Sequence, residues 1–138
     1  MRGFLSSVLL LAACSGPPPD RAVYAFFDAM TQGDANRMAA VLDSSVFLGN
    51  SGALELDTLF VGADFEARRN RILLELTGGN VKRLWLSKQV IVGRTERRGD
   101  TAGVEGSFVD TESDRQYLTR FGLVKKGKTW QIFSFAGH

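Results

Sequence analysis

Hydrophobic and polar positions change rhythm several times along this chain, and each change marks a part of it. Residues 4–11 form an almost unbroken apolar run behind a single cation, Arg2. That is the n-region and h-region pattern of a secretory signal, and it is far too short to span a bilayer. After it the sequence turns polar, and Pro17-Pro18-Pro19 predicts an extended polyproline spacer. Helical spacing follows. Val23, Phe26, Phe27 and Met30 stand at i, i+3, i+4 and i+7, one apolar stripe of an amphipathic helix. Asp20 is placed to cap its start and Gly33 to end it. Asp34 can then cap a second helix carrying Met38, Val41 and Leu42, which predicts a helical hairpin.

The middle of the chain is less periodic. Val46-Phe47-Leu48 predicts a short strand and Gly49-Asn50-Ser51-Gly52 a turn, while residues 54–61 fit strand or helix equally. From Asp64, the positions Phe65, Arg69, Ile72, Leu73 and Leu76 restore helical spacing until Gly78-Gly79 stops it. Beyond that point the period shifts toward two. Residues 81–94 predict a long strand, Arg97-Arg98-Gly99-Asp100 a polar turn, and Ala102, Val104 and Phe108 alternate with Thr101, Gly103, Glu105 and Ser107. A polar loop at residues 110–114, a strand at 117–125, a tight turn at Lys126-Gly127 and a strand at 130–135 complete the pattern. These connections are short enough for an antiparallel meander. Three helices followed by at least four strands is the segregated α+β arrangement, with helices covering the apolar face of a curved sheet. Trp130 and Ile132, two apart and both bulky, belong to its core.

The helix at residues 23–30 ending in Gly33-Asp34, the Gly99-Asp100-Thr101-Ala102 turn and the closing Leu123-Val124-Lys125-Lys126-Gly127-Lys128-Thr129-Trp130-Gln131-Ile132 carry a resemblance. Together they make the chain similar to the nuclear transport factor 2-like superfamily, and within it to the lumazine-binding-like domain of unknown function found in small bacterial lipoproteins. The resemblance implies a cone, a bent antiparallel sheet wrapped around a helix and open at one end. It is nearly silent on function.

Leu11-Ala12-Ala13-Cys14 ends the apolar run and resembles the lipobox of bacterial lipoproteins. By that resemblance Cys14 receives diacylglycerol, a signal peptidase cuts before it, and its new amino group is acylated. Residues 1–13 are then a signal peptide, 14–19 a lipidated cysteine and linker, and 20–138 one domain. By resemblance to enterobacterial lipoprotein sorting, Ser15 in place of aspartate implies the outer membrane, periplasmic face. A chain of 138 residues less a 13-residue leader suits a single modest core. Basic and acidic residues nearly balance, 17 against 15, which argues against nucleic acid as a partner. Cys14 is the one cysteine, so the domain holds no disulfide and no thiol chemistry.

Catalytic and metal signatures are thin. His138, the one histidine, is the terminal residue, a poor place for catalysis. Zinc spacing and a Ser-His-Asp or Cys-His arrangement are therefore not expected. The 15 glycines sit at turns and strand breaks rather than in a phosphate-binding loop. No cofactor is implied. Cone-shaped relatives include isomerases and cyclases that move protons with an acid inside the pocket, and the carboxylates to weigh are Asp28, Glu105 and Asp110. Asp28 and Glu105 are expected to face solvent. Arg98-Gly99-Asp100 spells an adhesion tripeptide, but glycine and aspartate are what a hairpin turn requires. Arg68, Arg69 and Arg71, and Lys125, Lys126 and Lys128, read first as solvated clusters, with anionic headgroups as the other reading.

Aromatic residues are the remaining candidates. Tyr24, Phe27, Trp85, Phe108, Tyr117 and Phe121 are the kind that would line the cone's open end, the tyrosine hydroxyls orienting a ligand and the rings supplying contact. Core packing is the plainer role for the same set. The reading that results is a non-enzymatic lipoprotein of the cell envelope. It is tethered to membrane lipid through acylated Cys14 and binds a small apolar ligand or an envelope protein. The alternatives are a cone-fold enzyme of the isomerase or cyclase type, and a structural homodimer paired through an apolar sheet face.

Overall fold

A computed structural model describes residues 16–48 and 64–137, with side chains to residue 135. The expectations for residues 1–15 and 49–63 and for His138 lie outside the described residues. The elements in order are α1 (Asp20–Gln32), α2 (Ala35–Val41), a 3₁₀ turn (Ser44–Leu48), α3 (Phe65–Gly78) and α4 (Asn80–Leu86). They are followed by β1 (Gln89–Arg98), β2 (Thr101–Val109), β3 (Gln116–Lys126) and β4 (Thr129–Gly137). The strands form an antiparallel meander in the order β1-β2-β3-β4.

The apolar stripe of α1 is buried as its spacing requires, with Val23, Phe26, Ala29 and Met30 fully inside. Gly33 ends the helix at φ 68°, a left-handed conformation that costs glycine nothing. Asp34 caps α2 by accepting the Arg37 N–H at 3.1 Å. Asp64 caps α3 in the same way, from Ala67 at 2.7 Å, and Ile72, Leu73 and Leu76 point inward from it.

Four local expectations are corrected. Asp20 is the first helical residue of α1 rather than its cap; Pro19 holds the N-cap position in helical geometry and is buried. The amides of Arg21 and Ala22 already reach back to the carbonyls of Pro18 and Pro19, 3.2 and 3.1 Å away, so Pro19 starts the domain instead of ending a spacer. Val46-Phe47-Leu48 is 3₁₀ helix, not strand. The Asp43 side chain accepts the Ser45 amide and its carbonyl accepts the Val46 amide, a local turn that outcompetes extension. The long strand expected over residues 81–94 begins only at Gln89, because residues 80–86 form α4. There the Glu75 carboxylate reaches past Gly79 and accepts the Asn80 amide at 3.0 Å and the Val81 amide at 3.4 Å, supplying the acceptors that a helix start needs.

On the sheet's inner face, Ala102, Val104 and Phe108 of β2 lie opposite Leu123, Phe121 and Tyr117 of β3. Gly122 pairs with Ser134 but Leu123 with Ile132, so Phe133 is an extra residue in β4. This bulge lets Trp130, Ile132 and Phe135 all face inward although the last two are three apart. Two hairpin turns, Gly99-Asp100 and Gly127-Lys128, lie at one end of the meander, with glycine at positive φ (59° and 66°) in each. The Lys125 amide ties them together through the Asp100 carbonyl at 2.8 Å. The loop at residues 110–115 occupies the opposite end.

Candidate functional site

The sequence-predicted aromatic set separates into a cluster and two outliers. Phe27 of α1, Trp85 of α4, Phe108 of β2 and Phe121 of β3 come together, since the α1 stripe, the α4 turn and the inward positions of two adjacent strands all aim at one volume. Ring centroids are 5.4 Å apart for Trp85 and Phe108, 5.9 Å for Phe27 and Phe108, 5.8 Å for Phe27 and Phe121, and 6.3 Å for Phe27 and Trp85. Phe26 and Phe135 continue the cluster into the core, each 5.9 Å from Trp85. The rings meet edge-on or tilted, the geometry their quadrupoles prefer. Phe108 and Phe121 are buried, whereas Phe27 and Trp85 keep an accessible edge.

Tyr117 lies beside this cluster, directly across from Phe108 in the β2–β3 register, and is 40% exposed. The Lys88 ammonium stands 5.5 Å from its ring centroid. Tyr24 is 55% exposed on α1 and has no ring contact with the cluster. Sequence reasoning missed Phe26, Phe135 and Lys88. Phe26 and Phe135 read only as core, and the role of Lys88 depends on α4 ending at Leu86, which the strand reading of that segment concealed.

Of the carboxylates, Asp28 and Glu105 lie elsewhere, while Asp110 is at the aromatic end, within electrostatic reach of Lys88. Asp28 is on the surface of α1 in an ion pair with Arg37 at 2.8 Å. Glu105 is exposed on β2, on the face away from the core. Asp110 accepts the Glu112 amide at 3.0 Å in the β2–β3 loop, and this bond, with a second from Ser113, holds its carboxyl below the usual range. Asp43, one of two buried polar residues among those described, is a corner post. Its amide donates to the Ile132 carbonyl at 2.7 Å, while its carboxylate accepts the Ser45 hydroxyl at 2.6 Å and the Lys126 ammonium. Burial pushes this carboxyl up, but the bonds from Lys126 and Ser45 outweigh it and hold it below its ordinary value.

Helices segregated to one face of a four-stranded antiparallel meander can be compared directly with solved structures. An NTF2-like protein of Campylobacter jejuni, provisionally assigned as a transpeptidase, superposes with a TM-score of 0.50 at 17% identity, over 84% of this chain and 97% of that one. An NTF2-like protein of unknown function from Shewanella baltica OS155 also gives 0.50, at 13% identity, over 100% of this chain and 97% of that one. This chain has the NTF2-like fold. No family model matches its sequence, and no curated protein does either. At these identities the likeness is one of fold.

The NTF2-like sheet has a second feature on its outer face. A groove of about 420 Å³ crosses all four strands, bounded by Glu96, Arg98, Arg120, Phe133 and Ser134. Its floor is the paired glycines Gly103 and Gly122. A Cβ on Gly103 would fall 2.5 Å from Arg120 Nε, and one on Gly122 would fall 2.3 Å from Ser134 Oγ. Both glycines therefore allow long neighbours to lie flat across the sheet. Arg120 reaches Glu96 at 3.3 Å. The exposed apolar residues of this face, Ile91 and Leu118 on one side and Phe133 on the other, are divided by that ion pair. Its one sequence signal is a pair of glycines at outward positions of adjacent strands, which reads otherwise as punctuation.

Proposed function

We propose that this chain is a lipid-anchored binding module of the bacterial envelope, of the lumazine-binding-like lipoprotein kind, tethered through Cys14 and taking a small apolar ligand at the aromatic end of the cone. The observation that carries the binding site is the convergence of Phe27, Trp85 and Phe108 from three elements, with Phe27 and Trp85 partly accessible. Ring faces offer contact area at low conformational cost, and Tyr117 beside them adds a hydroxyl and a nearby cation for orientation. Support for binding over proton transfer comes from the carboxylates: Asp28 is paired on the surface of α1, Glu105 is on the outer sheet face, and Asp110, although at the aromatic end, is held ionised by hydrogen bonds from Glu112 and Ser113. The lipobox resemblance at residues 11–14, following the signal pattern, supports the tether.

A neutral apolar fluorophore, N-phenyl-naphthylamine, titrated into a chain beginning at Gly16 tests the site. Trp85→Ala and Tyr117→Ala are expected to weaken binding, the first by roughly tenfold or more because a large desolvated contact is lost, while Asp28→Asn and Glu105→Gln leave it unchanged. A carboxylate variant that loses a turnover retained by the aromatic variants would replace this reading with the enzymatic one.

A further inference from the structure

The two ends of the sheet differ in charge, and Gly16, the first described residue, lies at one of them. Because the strands form an antiparallel meander, both hairpin turns share an end, and that end carries Arg97, Arg98, Lys125, Lys126 and Lys128 with Asp43 and Asp100. Lys126 is engaged with Asp43, and Arg97 lies over the Trp130 ring with its guanidinium carbon 5.1 Å from the centroid. Arg98, Lys125 and Lys128 make no side-chain ion pair or hydrogen bond among the described residues. The opposite end carries Asp110, Glu112 and Asp114 with Lys88 and Arg115. The molecule is thus polarised along its strands.

Gly16 lies against the basic end. It approaches the β3–β4 turn so closely that a Cβ on it would sit 3.2 Å from the Lys128 carbonyl oxygen. Chain length alone then keeps Cys14, two residues away, within about 7 Å of Gly16. The described chain thus enters the domain at its basic end, and a tether at Cys14 would join it there.

We propose that this basic end is a docking surface for an anionic phospholipid bilayer. The domain stands on its two hairpin turns, with the aromatic cluster and the acidic 110–115 loop held away from the membrane. The proposal rests on the anchoring reading of Cys14. Charge complementarity selects the occupant: unpaired cations near an anionic surface each add attraction that fades within a Debye length, and here the tether supplies the proximity. The same geometry leaves the Phe27, Trp85 and Phe108 cluster open to the aqueous side, where a carried or sensed ligand would arrive.

The full chain, expressed and processed in cells and placed in vesicles, is the material for the test. Cys14 is the one native cysteine, so maleimide first reports whether its sulfur is blocked by the diacylglyceryl thioether. Donor fluorophores are then placed through Thr129→Cys at the basic end and Thr111→Cys at the acidic end, both exposed positions. The vesicles are phosphatidylcholine mixed with phosphatidylglycerol and carry a headgroup acceptor. Transfer is expected to be strong from position 129 and weak from 111. The contrast should shrink in phosphatidylcholine alone and at about 1 M salt, where screening is nearly complete. Arg98→Gln, Lys125→Gln and Lys128→Gln should each lower the orientational preference by on the order of fivefold.

Equal transfer from the two positions in mixed vesicles overturns the proposal. So does a contrast that neither salt nor the three substitutions alter, since the tether alone would then set it. Transfer between differently labelled chains in place of transfer to lipid assigns the surface to a second copy and also overturns it. If maleimide reacts with Cys14 of the native chain, the anchoring reading fails separately. The unanchored chain mixed with the same vesicles then decides: salt-sensitive binding keeps the docking surface, and no binding removes it.

Discussion

At the scale of the residue, Trp130 shows how one side chain joins several constraints. It is 5% exposed on the inner face of β4, and the Arg97 guanidinium covers its ring. Its indole Nε1 is buried without a hydrogen-bond partner among the described residues. Removing the ring leaves both a cavity and lost transfer energy, so Trp130→Ala is expected to destabilise the domain by about 3–5 kcal/mol. Trp130→Phe keeps a ring for Arg97 and removes an unmet donor, so its cost should be distinctly smaller. Urea denaturation of the three forms checks both statements. An Ala variant with the wild-type midpoint would contradict the burial, and a Phe variant as unstable as the Ala one would contradict the role of the ring.

At the scale of the element, Asp43 joins parts that the sequence presents far apart. It starts the 3₁₀ turn through Ser45, bonds the β4 backbone at Ile132 and pairs with Lys126 at the end of β3. Its folded pKa lies below the value of about 3.9 expected for an unfolded aspartate. The stability it contributes is therefore fully present above that value and is lost as pH falls through the lowered folded one. Asp43→Asn should cost on the order of 1–3 kcal/mol at neutral pH, where charged hydrogen bonds are broken. The gap to wild type should narrow as pH falls below the ordinary aspartate value of about 3.9 and close once the lowered folded value is passed. Denaturation midpoints measured across that range provide the check; a constant gap would mean that the carboxylate charge is not what holds the corner.

The same comparison separates what spacing reveals from what it hides. The stripes of α1 and α3, the Asp34 cap and the glycine turns were legible because each follows from contacts within a few residues. The 3₁₀ turn and α4 were not, because the short apolar run Val46-Phe47-Leu48 and the mixed stretch Val81-Lys82-Arg83-Leu84-Trp85 suit strand or helix alike. The deciding atoms, the carboxylates of Asp43 and Glu75, are polar groups outside those runs. The aromatic site was legible in part. Phe27, Trp85, Phe108 and Phe121 converge, while Tyr24 stays out of the ring contacts because it sits off the α1 stripe. The outer groove depends on strand register, which places Gly103 opposite Gly122 and which no local pattern encodes.

At the scale of the whole molecule, the proposed anchor is expected to act independently of the folded domain. Among the described residues the buried core runs from Ala22 to Phe135 and the backbone bonds begin at Pro18 and Pro19, so this core is expected to set the stability of the domain. Lipidation would then govern location, and packing would govern folding. Cys14→Ser is expected to abolish incorporation of a clickable palmitate and to release the protein from the membrane fraction. The denaturation midpoint of the released form should match that of a wild-type chain beginning at Gly16, because no contact in the core has changed. Equal palmitate incorporation in the Ser variant and the wild type would remove the anchor from this account while leaving the NTF2-like fold intact. A Ser variant that is released but measurably less stable would instead mean that the leading segment packs on the domain beyond Gly16, making the tether part of the fold.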